Sequence, residues 1–300
     1  MVDISNLDTE QPNSETADID KMDTLGIVRL INSEDKKVAE SIEAALPVIS
    51  AAIDAIYERL KSGGRLVYIG AGTSGRLGLL DAVECPPTFG VDYDMVIALL
   101  AGGTGAFVKA VEGAEDREEL GIADLHGVNF SKKDVLVGIA ASGRTPYVKG
   151  AMAHAHTLGA FTIALSCTKN SDIAAYANID ITLQPGAEVI AGSTRMKSGT
   201  AQKMVLNMLS TVPMIRLGKT YGNLMVDLKA TNNKLVSRAA NIVCMATGVD
   251  METASKVLHE CEFFAKNAIV VILAGVDYAA SKVALSQCDG RIYQALNYLR

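Results

Sequence analysis

Three glycine-containing segments of the sequence carry hydroxyl and cationic side chains of the kind that hold a phosphate group. The first is YIGAGTSGRLG at 68–78, whose glycines are Gly70, Gly72 and Gly75. We expect these glycines to let the backbone approach a ligand closely, while threonine and serine supply hydroxyl donors. The candidate binding residues of this segment are Thr73, Ser74, Gly75 and Arg76.

The same glycine spacing also matches the fingerprint of a dinucleotide-binding loop. That fingerprint needs an acidic residue about 20 residues further on, at the end of the second strand, to hold a ribose. Here Asp92 and Asp94 precede the next apolar run, and no acid stands at the end of that run. A sugar phosphate therefore suits the segment better than a pyrophosphate.

The second segment is AASGRTPYV at 140–148. Thr145 is placed to cap a helix, and Pro146 suits the first helical position. The free N–H groups of such a helix start, together with nearby hydroxyls, form an anion site. An ordinary strand-to-helix turn has similar residues, but two hydroxyl-rich loops after separate strands favour a binding site. The candidates here are Ser142, Gly143, Arg144 and Thr145.

The third segment is GSTRMKSGTAQK at 192–203, in front of an apolar helix pattern. A solvated helix start is the alternative interpretation. Cations at a helix N-terminus oppose the helix dipole, however, so their presence indicates an anion between them. The candidates are Ser193, Thr194, Arg195 and Lys197.

Two glutamates are candidates for acid–base chemistry. Glu84 lies between an apolar helix pattern and a Cys-Pro-Pro sequence. Apolar, rigid surroundings raise the pKa of a carboxyl group, so we expect Glu84 to hold a proton at neutral pH. Glu115 lies in AVEGAEDREEL at 110–120. Spacing alone does not select it from its acidic neighbours, which are Glu112, Asp116, Glu118 and Glu119.

A parallel sheet would place these segments at one edge. The predicted strands are the apolar runs at 65–70, 95–103, 134–140, 160–166 and 179–183. Helical patterns, including 106–125 and 145–159, separate several of them. Continuous apolar strands that alternate with helices predict an α/β fold, with a parallel sheet covered by helices on both faces. Ligands bind at the carboxyl ends of the strands in such sheets, where the first two segments lie.

Helices are predicted on both sides of this central domain. A polar arm over 1–20 precedes a helical region that Pro47 bends or divides. The final segment predicts three or four helices, and its two GVD phrases, at 248–250 and 275–277, indicate similar helix junctions. The predicted domains are an arm with helices over 1–55, a ligand-binding domain over 56–225 and a helical domain over 226–300.

Composition excludes several classes of function. The formal net charge is −6 and no basic, aromatic-rich patch is present, so a nucleic-acid partner is not predicted. The five cysteines include no CxxC pair and the four histidines form no ligand motif, so no metal or cofactor is predicted. The N-terminus has no signal-peptide pattern and the apolar runs are shorter than a membrane span, which predicts a cytoplasmic protein that does not enter a membrane.

Several long phrases resemble the signature segments of the N-acetylmuramic acid 6-phosphate etherases. They are YIGAGTSGRLGLLDAVECPPTFG, VEGAED, ASGRTPYV and GSTRMKSGTAQK, with TEQPN at 9–13 resembling the N-terminal arm of that family. The resemblance runs in the same order from about residue 7 to the C-terminus. It implies a sugar isomerase (SIS) domain, which is a flavodoxin-like five-stranded parallel sheet between helices, followed by a small helical domain that is ubiquitin-associated-like.

The resemblance also implies a function and site residues. The family cleaves N-acetylmuramic acid 6-phosphate to N-acetylglucosamine 6-phosphate and D-lactate during the recycling of cell-wall sugars, as a homodimer with active sites near its interface. Its catalytic carboxylates fall on Glu84, the acid, and Glu115, the base, and its phosphate loop falls on Ser142 to Thr145. We further expect the N-terminal arm to help complete the partner's pocket.

Elimination would need only these two carboxyl groups. Ring opening exposes an aldehyde at carbon one, which acidifies the proton on carbon two; a base removes it as lactate leaves carbon three, and water then adds back. Two other functions are compatible with the sequence. They are a non-catalytic sugar-phosphate regulator, which need not keep both acids, and an aldose–ketose sugar-phosphate isomerase, which would release no lactate.

Overall fold

The N-terminal part of the chain is helical. The structure is a computed structural model that describes residues 8–228 and 233–300. Short 3-10 turns lead into helices α1 (Thr24–Glu43) and α2 (Leu46–Lys61). Pro47 lies in the first turn of α2, so the predicted junction is confirmed. Helix α2 ends at Lys61, just before the sequence Ser62-Gly63-Gly64.

A five-stranded parallel sheet follows, in the order β2-β1-β3-β4-β5. Its strands are β1 (Leu66–Gly70), β2 (Val96–Leu100), β3 (Val135–Ile139), β4 (Phe161–Ser166) and β5 (Ile179–Thr182). All five lie within the predicted apolar runs, and every residue of β1 and β3 is buried. The predicted α/β class is confirmed, and the strand order is that of flavodoxin-like folds.

Helices cover both faces of the sheet. They are α3 (Gly72–Phe89), α4 (Glu118–Gly127), α5 (Pro146–Thr157) and α6 (Lys197–Arg216). Alternate residues of β1 point to opposite faces, as in any strand. Val67 and Ile69 share a buried cluster with Met152 of α5. Tyr68 faces the other side, where its hydroxyl donates to Asp81 of α3 at 2.9 Å.

The predicted helix over 106–125 is wrong in its first half. Helix α4 begins only at Glu118, and a 3-10 turn at Thr104–Phe107 precedes it. The apolar residues that suggested a helix there remain exposed, with Val108 at 90% and Val111 at 50%. Because packing of an apolar face supplies most of a helix's stability in proteins, this segment forms turns instead.

The C-terminal part contains a hairpin, β6 (Thr220–Tyr221) and β7 (Leu224–Met225), and five helices among its described residues. They are α7 (Asn233–Thr247), α8 (Met251–Glu260), α9 (Ala265–Ala274), α10 (Tyr278–Gln287) and α11 (Ile292–Tyr298). The predicted number of three or four helices was too low because several of the helices are short. The predicted similarity of the GVD junctions is confirmed, since Asp250 and Asp277 each accept a hydrogen bond from the backbone N–H three residues later.

The chain divides into two compact units. One comprises the residues up to Ala82 together with Asp94–Ser210, and the other comprises Val83–Tyr93 with Thr211–Arg300. The second unit has its own buried core, built from α7 to α11. Domain bounds at residues 55 and 225 stay a prediction. Among the described residues, no single helix has the length and apolar composition of a membrane span; α9 and α10 meet that test only together, across a bend of 105°.

Candidate functional site

A cleft of about 410 Å³ opens where β1 and β3 end. It lies entirely within the first compact unit. Residues from all three predicted segments meet in its lining, which is the placement that the parallel sheet predicted. The predicted site residues that line it are Thr73, Ser74, Glu115, Ser142, Arg144, Thr145 and Thr194.

The loop after β1 contributes hydroxyls to the cleft. Ser74 is buried, and its Oγ donates a hydrogen bond to Oε1 of Gln202 in α6 at 2.9 Å. We predicted that Gly70, Gly72 and Gly75 let the backbone approach a ligand, but Gly70 and Gly75 have another role. A Cβ on Gly75 would lie 2.4 Å from the carbonyl oxygen of Gly70, so these two glycines allow β1 and α3 to approach each other. Only Gly72 lines the cleft.

Arg76 donates hydrogen bonds to backbone carbonyls and is not among the residues that line the cleft. Its Nε donates to the carbonyl oxygen of Phe107 at 3.0 Å, and its Nη2 donates to that of Ala106 at 2.8 Å. The side chain therefore fixes the 3-10 turn after β2. Arg76 lines a smaller cavity of about 150 Å³, which shares Gly72 and Glu115 with the cleft.

The loop after β3 has the features of a rigid anion site. Thr145 occupies the N-cap position of α5, as predicted, but its side chain makes no capping hydrogen bond. Gly143 has a φ of +67°, and a Cβ there would lie 2.1 Å from Cβ of Ser171. Only glycine fits this position. Ser142 Oγ accepts a long hydrogen bond, 3.4 Å, from the Arg144 N–H.

The third segment divides between the cleft and the protein interior. Thr194 lines the cleft, whereas the lining does not include Ser193 or Arg195. Lys197 is 1% exposed, and its Nζ donates to Glu34 Oε2 at 2.8 Å. The structure therefore gives the Lys197 ammonium a partner inside the protein and not in the cleft.

A buried carboxylate stands at the start of α6. Glu188 accepts hydrogen bonds from the N–H groups of Lys197 and Ser198, at 2.8 and 2.9 Å. The sequence predicted an anion at this helix start, and the anion in the structure belongs to the protein. A carboxylate here complements the positive end of the helix dipole.

The structure distinguishes Glu115 from the other acids of its segment. Asp116 lines only the cleft and Glu112 only the smaller cavity, but Glu115 lines both. Its carbonyl oxygen accepts a hydrogen bond from the Tyr147 N–H at 3.0 Å, which ties it to the first turn of α5. The N-terminus of α5 therefore positions both Glu115, the candidate base, and the loop after β3, the candidate anion site.

Glu84 belongs to the second compact unit and lies on an exposed part of α3. Among the described residues Glu84 is exposed, so its carboxyl group does not have the apolar surroundings that the sequence predicted. The reason is the helical geometry, which buries the adjacent Cys85 but turns Glu84 outward. Its role as the acid stays a prediction.

Sequence reasoning missed one acid of the cleft, Glu10. The N-terminal arm holds it there, since the Thr9 carbonyl accepts from the Gly192 N–H at 3.2 Å. Further along, Thr16 Oγ1 donates to the Val189 carbonyl at 2.9 Å. The TEQPN phrase was the available signal. In this structure the arm lines the cleft of its own chain through Glu10, and a contribution of the arm to a partner's pocket stays a prediction.

Comparisons with known proteins agree on a family. The model of the glucokinase regulatory protein N-terminal SIS domain matches residues 48–156, and the SIS domain model matches residues 118–212. The N-acetylmuramic acid 6-phosphate etherase of Clostridium beijerinckii is 53% identical over 98% of this chain and 96% of its own length. That of Clostridium botulinum strain Langeland is 54% identical over 98% of both chains, and that of Aliivibrio fischeri strain ES114 is 53% identical over 99% of both.

Proposed function

The chain belongs to the N-acetylmuramic acid 6-phosphate etherase family, and we infer that it is a carbon–oxygen lyase acting on the sugar of that name. It cleaves the D-lactyl ether to give N-acetylglucosamine 6-phosphate and D-lactate, in the recycling of cell-wall amino sugars. The assignment of the residues rests on the lining of the cleft, where Glu115 lies beside the hydroxyl-rich loops after β1 and β3.

The loop from Ser142 to Thr145 binds the 6-phosphate in this proposal. It precedes the N-terminus of α5, whose free N–H groups and dipole favour an anion. The Thr145 hydroxyl makes no capping bond, which leaves it available to a ligand. Thr73 and Thr194 also line the cleft and add hydroxyls. Phosphate binding then supplies remote binding energy that positions the reacting carbons.

Glu115 acts as the base. In the ring-opened sugar, the aldehyde at carbon one makes the proton on carbon two acidic, and the Glu115 carboxylate removes it. A double bond forms between carbons two and three as the bond from carbon three to the lactyl oxygen breaks. Water then adds to carbon three and a proton returns to carbon two, so that no net redox change occurs.

Glu84 acts as the acid that protonates the departing lactyl oxygen. This assignment rests on the family phrase in which Glu84 stands. A general acid must be protonated when the ether bond breaks, and an apolar cover over the carboxyl would favour that state. Since a single chain leaves Glu84 exposed, we propose that assembly of the protein supplies the cover.

That assembly is a homodimer in our proposal, located in the cytoplasm. Helix α1 supports it with two large apolar side chains on its surface, Leu25 at 54% and Val28 at 56% exposure. They lie three residues apart, so they share one face of the helix. Apolar residues grouped on a surface helix are typical of a protein contact.

Incubation with N-acetylmuramic acid 6-phosphate, followed by an enzymatic assay for D-lactate, tests the proposed function. We expect D-lactate and N-acetylglucosamine 6-phosphate in equal amounts. An aldose–ketose isomerase would change the sugar without releasing lactate, and a regulator would bind it without turnover. Either result would overturn the proposal.

A further inference from the structure

The smaller cavity beside Glu115 has the composition of a pocket for a neutral, partly apolar group. Its volume is about 150 Å³. Three of its lining residues are buried apolar ones, namely Leu100, Ala101 and Ala106, which are 3–6% exposed. An apolar cavity of about this size holds a benzene molecule in another protein, so there is ample room for an acetyl group.

The wall of this cavity is fixed in place. Arg76 donates to the carbonyl oxygens of Ala106 and Phe107, which holds the turn after β2 against the start of α3. The cavity adjoins the cleft, because Ala71, Gly72 and Glu115 line both of them. A ligand in the cleft can therefore place one substituent in the cavity.

Charge decides which substituent suits it. The acids of the cavity lining are Glu112 and Glu115, while the Arg76 guanidinium is directed to backbone carbonyls. The lining thus holds two acids against one cation, a net negative set, which disfavours a carboxylate such as that of the lactyl group. An acylamino group is neutral, offers an N–H donor to a carboxylate and ends in a methyl group.

We propose that this cavity is the recognition pocket for the acylamino group on carbon two of the sugar phosphate. The inference rests on the proposed function, in which Glu115 removes the proton from that same carbon. A pocket that opens beside the base then receives the substituent nearest to the reacting carbon, and it orients the carbon–hydrogen bond toward the carboxylate.

Equilibrium binding tests the proposal without any need for turnover. Calorimetry compares N-acetylglucosamine 6-phosphate with glucose 6-phosphate, which lacks the acylamino group. We expect the wild type to bind the N-acetyl sugar about 10- to 100-fold more tightly, the discrimination that a few buried apolar atoms provide. Equal affinities would overturn the proposal, whereas failure to release lactate would overturn the proposed function alone.

Variants that fill the cavity give the second readout. Ala110 lines it but is exposed, so Ala110→Leu leaves the fold intact. Ala110→Leu and Ala106→Val should remove most of the preference for the N-acetyl sugar and leave glucose 6-phosphate affinity unchanged. The control is Val108→Leu, on the same turn but 90% exposed and outside the lining. If the two cavity variants bound both sugar phosphates more weakly by the same factor, the assignment would be contradicted.

Discussion

Ser142 is the single residue whose removal tests the phosphate loop with least disturbance to the fold. Its hydroxyl lines the cleft and has only a long internal hydrogen bond. Ser142→Ala should weaken binding of the 6-phosphate sugar by about 1.5–3 kcal/mol, because one hydrogen bond to a charged group is lost. Calorimetric titration with N-acetylglucosamine 6-phosphate measures this effect.

Thr157→Ala is the matched control, because it removes a hydroxyl from the last turn of α5, the helix into which the Ser142 loop leads. That hydroxyl donates to the Ala153 carbonyl and does not line the cleft. The control should bind as the wild type does. If Ser142→Ala also binds normally, Ser142 has no part in the site.

Residue types and their order identify which hydroxyls could bind phosphate, since caps and glycine turns are local features. They do not identify the partners of charged groups. Lys197 is paired with Glu34, far away in sequence, and Glu115 is positioned through the backbone N–H of Tyr147. Glu10 reaches the cleft through an arm whose docking depends on the loop around Gly192. These contacts require the folded chain.

A buried ion pair joins helices α1 and α6. The side chains of Glu34 in α1 and Lys197 in α6 are 3% and 2% exposed, and Asn13 also donates to Glu34, at 2.9 Å. Glu34→Gln would leave the Lys197 ammonium buried without its counter-charge. We expect a loss of about 3–5 kcal/mol in the free energy of unfolding, measured by denaturant titration. The double variant Glu34→Gln with Lys197→Met should recover part of that loss, and no recovery would contradict this explanation.

The same pair predicts a pH dependence of stability. Burial raises the pKa of Glu34, but hydrogen bonds from Lys197, Lys37 and Asn13 outweigh it and lower the pKa from 4.5 to about 2. Because the pKa is lower in the folded state, the stabilisation is present above about pH 4.5 and is lost as the pH falls toward 2. Unfolding titrations across this range should show a smaller acid effect in Glu34→Gln. Identical acid sensitivity would contradict the pairing.

The strands could be predicted from the sequence because each is a continuous apolar run between turn residues, as in β1 and β3. The turns between β2 and α4 could not be predicted in this way. Val108 and Val111 have the spacing of a helix face, yet in the described part of the chain Val108 is 90% exposed and Val111 is half exposed. Local pattern predicts a helix only where tertiary packing supports it, and packing is not visible in the sequence.

For the whole molecule, the proposed homodimer predicts that activity depends on the surface of α1. Val28→Glu should dissociate the dimer and lower activity in parallel, because it places a charge in an apolar contact. Light scattering and lactate assays at the same protein concentrations measure both. The control is Val283→Glu in α10, where the valine is also 56% exposed, as Val28 is. A wild-type monomer with full activity would contradict the dimer.

Turnover in deuterium oxide tests whether the elimination begins with removal of the carbon-two proton by Glu115. Mass spectrometry and proton NMR of the product report whether deuterium is present at carbon two. We expect deuterium at that carbon in the wild type, and almost no exchange or lactate in Glu115→Gln, with a rate loss of about 10²–10⁴-fold or more. Glu84→Gln should impair lactate release more than exchange. Product without deuterium at carbon two, or normal exchange in Glu115→Gln, would contradict the mechanism.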